Sequence, residues 1–201
     1  EKMSTTRGNG VDPLETMEKY GPDALRFALS TGTSPGNDMR LSQQKLEGSR
    51  NFANKLWNAS RFVLSNLQGK EAALAEGIAV HLPAEDRWIL SRLNRVTVEV
   101  NRLLEEFQFG EAQRQLYEFL WSEFCDWYIE IAKIRLRDDL GAAISPLPVL
   151  AHTLDASLRL LHPFMPFITE EIWQALKGYL PEKAKLPESI MVAPYPQAAA
   201  A

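Results

Sequence analysis

Apolar residues recur along most of this chain at spacings of three and four, the period of helices that bury one face. Ile89, Leu93, Val96, Val100, Leu103 and Phe107 keep that rhythm and predict a helix over about 84–107. Leu147, Leu150, Leu154, Leu158 and Leu161 predict another over 146–161. Residues 112–138 are apolar nearly all round, from Leu116 through Phe124 and Trp127 to Ile134. A helix greasy on every side is predicted to be the centre of a bundle. Gly110 sets it apart from the helix before it, and 139–146 reads as a linker.

Caps and breakers divide the rest. Asp12-Pro13-Leu14-Glu15 starts a helix that runs to Tyr20, and Gly21-Pro22 ends it and opens a second, to Ser30. Residues 31–37 form a loop by composition, and Asp38–Leu41 is predicted as a short strand. Ser42 caps a long helix to Leu67, and 68–83 is a spacer. His162-Pro163-Phe164-Met165-Pro166 turns the chain, Thr169 is predicted to cap a last helix to about Leu176, and Ser189–Val192 reads as a strand. The fold class is therefore mainly α: an antiparallel bundle of four or five helices behind a small mixed α/β connecting segment. The expected divisions are 1–41, 42–177 and 178–201.

Composition narrows the possible functions. The net charge of −4 argues against a general nucleic-acid binder, so any such surface has to be local. A single cysteine, Cys125, excludes an internal disulfide and reads as a small core residue. His81, His152 and His162 lack metal-ligand spacing. No apolar run reaches the ~20 residues of a membrane-spanning helix. The tryptophans at 57, 88, 121, 127 and 173 read as core aromatics, and Asp126, Glu130 and Lys133 as a structural polar network. His162, between Leu161 and Pro163, reads as a packed structural histidine.

One helix breaks the pattern. At about 100° per residue, Phe52, Ala53, Leu56, Trp57, Ser60, Val63, Leu64 and Leu67 fill one arc of the 42–67 helix. Asn51, Asn54, Lys55, Asn58 and Arg61 lie outside it, and so does Phe62, roughly 150° from the centre of that arc. An aromatic ring among amides and cations suits a splayed nucleotide: the ring stacks a base, amides read its edge, and a cation meets phosphate. Lys45, Arg50, Lys55 and Arg61 stand against one acid, Glu47, so the helix is locally basic. The alternative is that Phe62 packs beneath a neighbouring element and the cations form a solvated face.

Several collinear segments resemble the class Ia aminoacyl-tRNA synthetases. Lys2-Met3-Ser4 with Gly8-Asn9 resembles their mobile ATP loop, K-M-S-K-S-x-G-N, although Thr5 stands where that loop places its second lysine. Lys19-Tyr20-Gly21-Pro22-Asp23-Ala24-Leu25-Arg26-Phe27 is similar to the segment that follows that loop. The stretches Thr31–Arg40, Arg50–Phe62, Phe124–Tyr128 and His162–Trp173 are similar to the valyl branch in particular. The likeness runs in order over about residues 2–195.

The resemblance implies that residues 1–40 are an ATP loop and a segment supporting the inner corner of tRNA, and that 42–177 bind the anticodon. Phe62 would stack a base, with Lys55, Asn58 and Arg61 beside it and Asn51 and Asn54 further off. Lys2, Met3, Ser4 and Arg7 would belong to the ATP loop. In the parent enzyme valine and ATP give valyl-adenylate and pyrophosphate, and the acyl group then passes to tRNA. The nucleotide fold for that step, with its H-I-G-H motif, is not in the chain. The chain is expected to be a fragment, inactive alone, without a cofactor of its own, ATP serving the parent enzyme. Expected partners are valine tRNA isoacceptors and an upstream catalytic domain, with no membrane, as a cytoplasmic monomer. The competing readings are a helical interaction module without tRNA binding and the same domain of an isoleucyl or leucyl enzyme.

Overall fold

The computed structural model of the chain describes residues 10–32, 41–75, 77–137, 144–180 and 186–198. Helix α1, Pro13–Tyr20, begins because the Asp12 carboxylate accepts from the Leu14 and Glu15 amides at 2.7 and 3.3 Å. Gly21 ends it at φ +91°, a backbone state that suits glycine, and α2, Pro22–Ser30, follows at once. Ser42 caps α3, Gln43–Leu67, by accepting from the Lys45 amide at 3.2 Å. The spacer holds a short helix, α4, Glu71–Ala75, that periodicity does not predict. Then come α5, Ala84–Glu105, and α6, Phe109–Glu118. A π-helical stretch, Phe119–Tyr128, joins α6 without a break to α7, Ile129–Arg137. The chain closes with α8, Leu147–Leu161, α9, Pro166–Lys177, and a single 3-10 turn, Ile190–Val192.

The central helix is α8, not the 109–137 rod. Its leucine stripe is buried throughout, and it packs on α3, α4, α5, α6 and α9. Each fully buried leucine contributes on the order of 2 kcal/mol. The rod has apolar side chains to spare and leaves some in water: Trp127 is 65% exposed and Ile134 is also exposed. Uniform greasiness therefore misled the prediction. A helix with aromatic residues on two sides can be half core and half surface.

Two further expectations are corrected. Among the described residues there is no strand. The predicted strand at 189–192 is the 3-10 turn, held because Ser189 Oγ accepts from the Met191 amide and donates to Glu170. Most of the strand predicted at 38–41 lies outside the described residues. Thr169 is not the cap of α9. Its hydroxyl donates to the Met165 carbonyl at 2.8 Å and meets His162 Nδ1 at 2.8 Å, which gives His162 its structural role. The cap comes from α2, where Asp23 accepts from the Phe167 and Ile168 amides at 3.2 and 2.7 Å. This bond pair ties the N-terminal helices, whose own small core is Tyr20, Ala24, Leu25, Ala28 and Leu46, to the bundle.

Tryptophan positions also diverge. Trp173 is fully buried and Trp121 packs against the core, but Trp57, Trp88 and Trp127 are exposed. Trp57 sits at the edge of the apolar arc of α3 and is 41% exposed.

Candidate nucleic-acid interface

Helix α3 presents one edge to the 109–137 rod and another to solvent. Phe52, Leu56, Val63 and Leu67 on its inner side are buried in the main core. Asn51, Asn54, Asn58 and Arg61 are exposed, as their position outside the apolar arc predicts. Lys55 and Phe62 are half-buried, because the rod reaches them. The six candidate residues thus form a ridge on which two are held and four stand in water.

The Lys55 ammonium is not a free cation. It donates to Asp126 Oδ1 at 2.5 Å and lies 3.8 Å above the centre of the Trp121 ring. Trp121 stacks on Tyr117, and Tyr117 rests on Phe52, so the lysine is seated on an aromatic ladder rooted in the core. Phe62 is packed against that core as well, and the Lys133 ammonium sits 5.4 Å from its ring centre. Lys133 also donates to Glu130 at 2.5 Å. Asp126, Glu130 and Lys133 are surface groups that face the candidate ridge and form polar pairs there, Lys133 with Glu130 and Asp126 with Lys55. The sequence carried a signal for this. Asp126, Glu130 and Lys133 recur at helical spacing on one side of an otherwise apolar rod.

A buried carboxylate fixes the rod against α5. Asp86, fully buried, accepts from Tyr128 Oη at 2.7 Å and from both ends of the Arg135 guanidinium at 2.5 and 3.1 Å. Burial and this hydrogen bond push the Tyr128 phenol well above its ordinary range. Burial opposes the charge on Arg135, yet the Asp86 carboxylate raises its pKa overall. Cys125 lies just inside the ridge. Burial pushes its thiol up to about 12, against a lowering by Lys55, so it is a packing residue and not a nucleophile.

The ridge offers one half-covered aromatic ring, two lysines already oriented by partners, three amides and an exposed arginine. That set can stack and hydrogen-bond an unpaired base and contact its phosphate. No group of three metal-ligating side chains lies together among the described residues. No helix among them is long and apolar enough to cross a membrane. The ATP-loop candidates Lys2, Met3, Ser4 and Arg7 lie outside the described residues.

Comparison with known proteins adds to this geometry. Residues 86–201 match the family described as anticodon-binding domain of tRNA ligase. Residues 1–42 match tRNA synthetases class I (I, L, M and V). The chain is 62% identical over 198 residues to a valine–tRNA ligase of Dehalococcoides mccartyi, covering 98% of this chain and 22% of that protein. It is 55% identical over 190 residues to that of Symbiobacterium thermophilum, covering 93% of this chain and 20% of the relative. The chain thus spans about a fifth of the length of these relatives. Among solved structures, the LeuRS of Agrobacterium radiobacter K84, crystallised as a ternary LeuRS–tRNA–LeuAMS complex, shares the fold. Its TM-score is 0.73 at 22% identity, over 98% of this chain and 22% of that one.

Proposed function

The chain belongs to the family of anticodon-binding domains of tRNA ligases, and from that premise we propose that it is part of a valine–tRNA ligase and holds the anticodon arm of valine tRNA while the rest of the ligase aminoacylates the 3′ end. The observation that carries the reading is the ridge of α3, where Lys55 and Phe62 are seated by the rod, and the rod, unlike α3 itself, lies in the stretch matched to an anticodon-binding domain. An unpaired base stacks on Phe62, the amides of Asn51, Asn54 and Asn58 reach its edges, and Arg61 contacts phosphate. Lys133 lies over the Phe62 ring. On binding it yields that place to the base and turns to the phosphate.

The division of labour follows from the same premise. Residues 1–41 belong to the end of the synthetase unit, with Lys2, Met3, Ser4 and Arg7 in the segment that meets ATP. Residues 42–177 bind tRNA, and 178–201 form an extension. Lys2 would place positive charge on the leaving phosphates, which stabilises the transition state electrostatically. Thr5 supplies no such charge. The catalytic nucleotide site belongs to the upstream part of the ligase, a cytoplasmic monomer in this reading. The isoleucyl and leucyl alternatives lose ground to identities of 62% and 55% with valine enzymes.

The test is titration of a labelled valine tRNA transcript with the chain at several salt concentrations. Two cations meeting phosphate (Arg61 and Lys133) give a slope of log K against log salt of about −1.5 to −2. A flat dependence, or equal affinity for an unrelated hairpin, would overturn the reading.

A further inference from the structure

The rod meets the ridge with carboxylates. Asp126 accepts from the Lys55 ammonium across the seam between α3 and the rod at 2.5 Å, and Glu130 accepts from Lys133 at 2.5 Å. The two pairs differ. Glu130 and Lys133 stand three residues apart on one helix, a surface pair that a ligand can separate. Asp126 and Lys55 come from different helices, and the ammonium is also seated 3.8 Å from the centre of the Trp121 ring. With a ring beneath it and a carboxylate beside it, the Lys55 side chain is 23% exposed, whereas that of Asp126 is 51% exposed. A group arriving from solvent therefore meets more carboxylate than ammonium. Arg61, further along α3, is exposed and makes no ion pair among the described residues. Of these two cations on one helix, one is open and one is covered.

The pair is not needed to hold α3 to the rod. Phe52, Tyr117 and Trp121 pack on one another across that seam, and Phe52 belongs to the main core. An ion pair with one partner half in water adds little stability. Its larger effect is on what the ridge attracts. We infer that Asp126 is a specificity residue, which masks Lys55 so that RNA is held through the Phe62 stack and not through charge alone. The inference rests on the reading of the α3 ridge as an RNA surface. A loop fixed by a stacked base has its phosphates set where the stack requires. RNA without that anchor shifts along the surface until its phosphates reach whichever cations are open, and each one reached adds affinity without regard to sequence. Specificity is a difference of affinities, so a cation that unanchored RNA uses better than the anchored loop lowers it. Covering Lys55 withdraws such a cation, and the Asp126 carboxylate turns a negative charge toward the phosphates of a wrong partner.

The experiment titrates three proteins, the wild-type chain, Asp126→Asn and Asp126→Asn with Lys55→Gln, with a valine tRNA transcript and with an unrelated RNA hairpin at several salt concentrations. Melting curves of the three should coincide closely, since Asp126 is a surface group. Asp126→Asn should bind the hairpin about tenfold more tightly at roughly 50 mM salt, with the slope of log K against log salt steeper by about 0.7–0.9. The valine transcript should gain less than about threefold, so its advantage over the hairpin shrinks. Adding Lys55→Gln should return the hairpin to its wild-type affinity and slope. An unchanged hairpin slope in Asp126→Asn would overturn the inference, as would an equal gain on both RNAs. A gain that survives Lys55→Gln would also overturn it, because the carboxylate would then act by repulsion at a distance and not by covering the lysine. If the wild-type chain does not prefer the valine transcript, the reading of the ridge fails. The hairpin arm still shows separately whether Asp126 masks Lys55.

Discussion

Replacing Asp86 by alanine should be the most damaging single change to the framework of the ridge. The substitution leaves two groups behind. Tyr128 Oη, in a fully buried residue, loses its 2.7 Å acceptor. Arg135, whose side chain is 12% exposed, keeps a glutamate oxygen at 3.3 Å and the Ile144 carbonyl at 2.6 Å. An orphaned buried hydroxyl costs about 1–3 kcal/mol. Breaking a buried ion pair from one side costs about 3–5 kcal/mol. The two terms share one carboxylate and do not add, and Glu85 offsets part of the second. The expected loss is about 3 kcal/mol, or a fall of roughly 6–12 °C in Tm for a chain of this size. Urea unfolding followed by tryptophan fluorescence measures it, with Tyr128→Phe, which keeps the ion pair, expected to lose only about 1 kcal/mol. As a surface comparison, Glu130→Gln should shift stability by less than about 0.5 kcal/mol. A loss below about 1 kcal/mol for Asp86→Ala would refute the reasoning, since the carboxylate could not then be the buried pin that orients the rod.

Three other outcomes follow. Burial raises the Asp23 pKa despite the two amides it accepts from, so its contribution is fully present at low pH and is lost as pH rises through the folded value. The stability advantage of the wild type over Asp23→Asn should therefore shrink between pH 4 and pH 7 in paired denaturation curves, and a constant gap would contradict this. Cys125, with its thiol at about 12, should react with a thiol reagent at pH 8 only as fast as the chain unfolds. Lys133→Met should reduce the salt slope of tRNA binding by about one unit, and an unchanged slope would remove Lys133 from the phosphate.

How far the sequence disclosed this structure varies by element. Helices with a clean stripe, α5 and α8, and helices with a strong cap, α1 and α3, stand where periodicity and capping place them. The errors occur where tertiary partners decide. The start of α9 takes its cap from Asp23, over a hundred residues away in sequence, so no local signal could identify it. The rod looked central because its aromatic residues point both ways. Periodicity cannot tell a side chain that meets another helix from one that meets water. The ridge was half legible. Asn51, Asn54, Asn58 and Arg61 are exposed as the helical arithmetic requires, but their position says nothing of what meets them. That Lys55 and Phe62 are held by Asp126, Trp121 and Lys133 depends on which helix packs beside α3, and a helical wheel contains no such information.

The central claim is that Phe62 stacks a base of the anticodon loop. The most direct test is a double comparison: wild-type chain and Phe62→Ala, each titrated with a valine tRNA and with the same tRNA carrying abasic nucleotides in the anticodon. Because Phe62 is half-buried, far-ultraviolet circular dichroism and the melting curve must first show the variant folded at the assay temperature. Base–aromatic stacking is worth about 1–3 kcal/mol, so Phe62→Ala should weaken binding of the native tRNA by about tenfold or more. The loss should nearly vanish with the abasic anticodon, which offers no ring to stack. An equal loss with both tRNAs, or none with either, would contradict the claim.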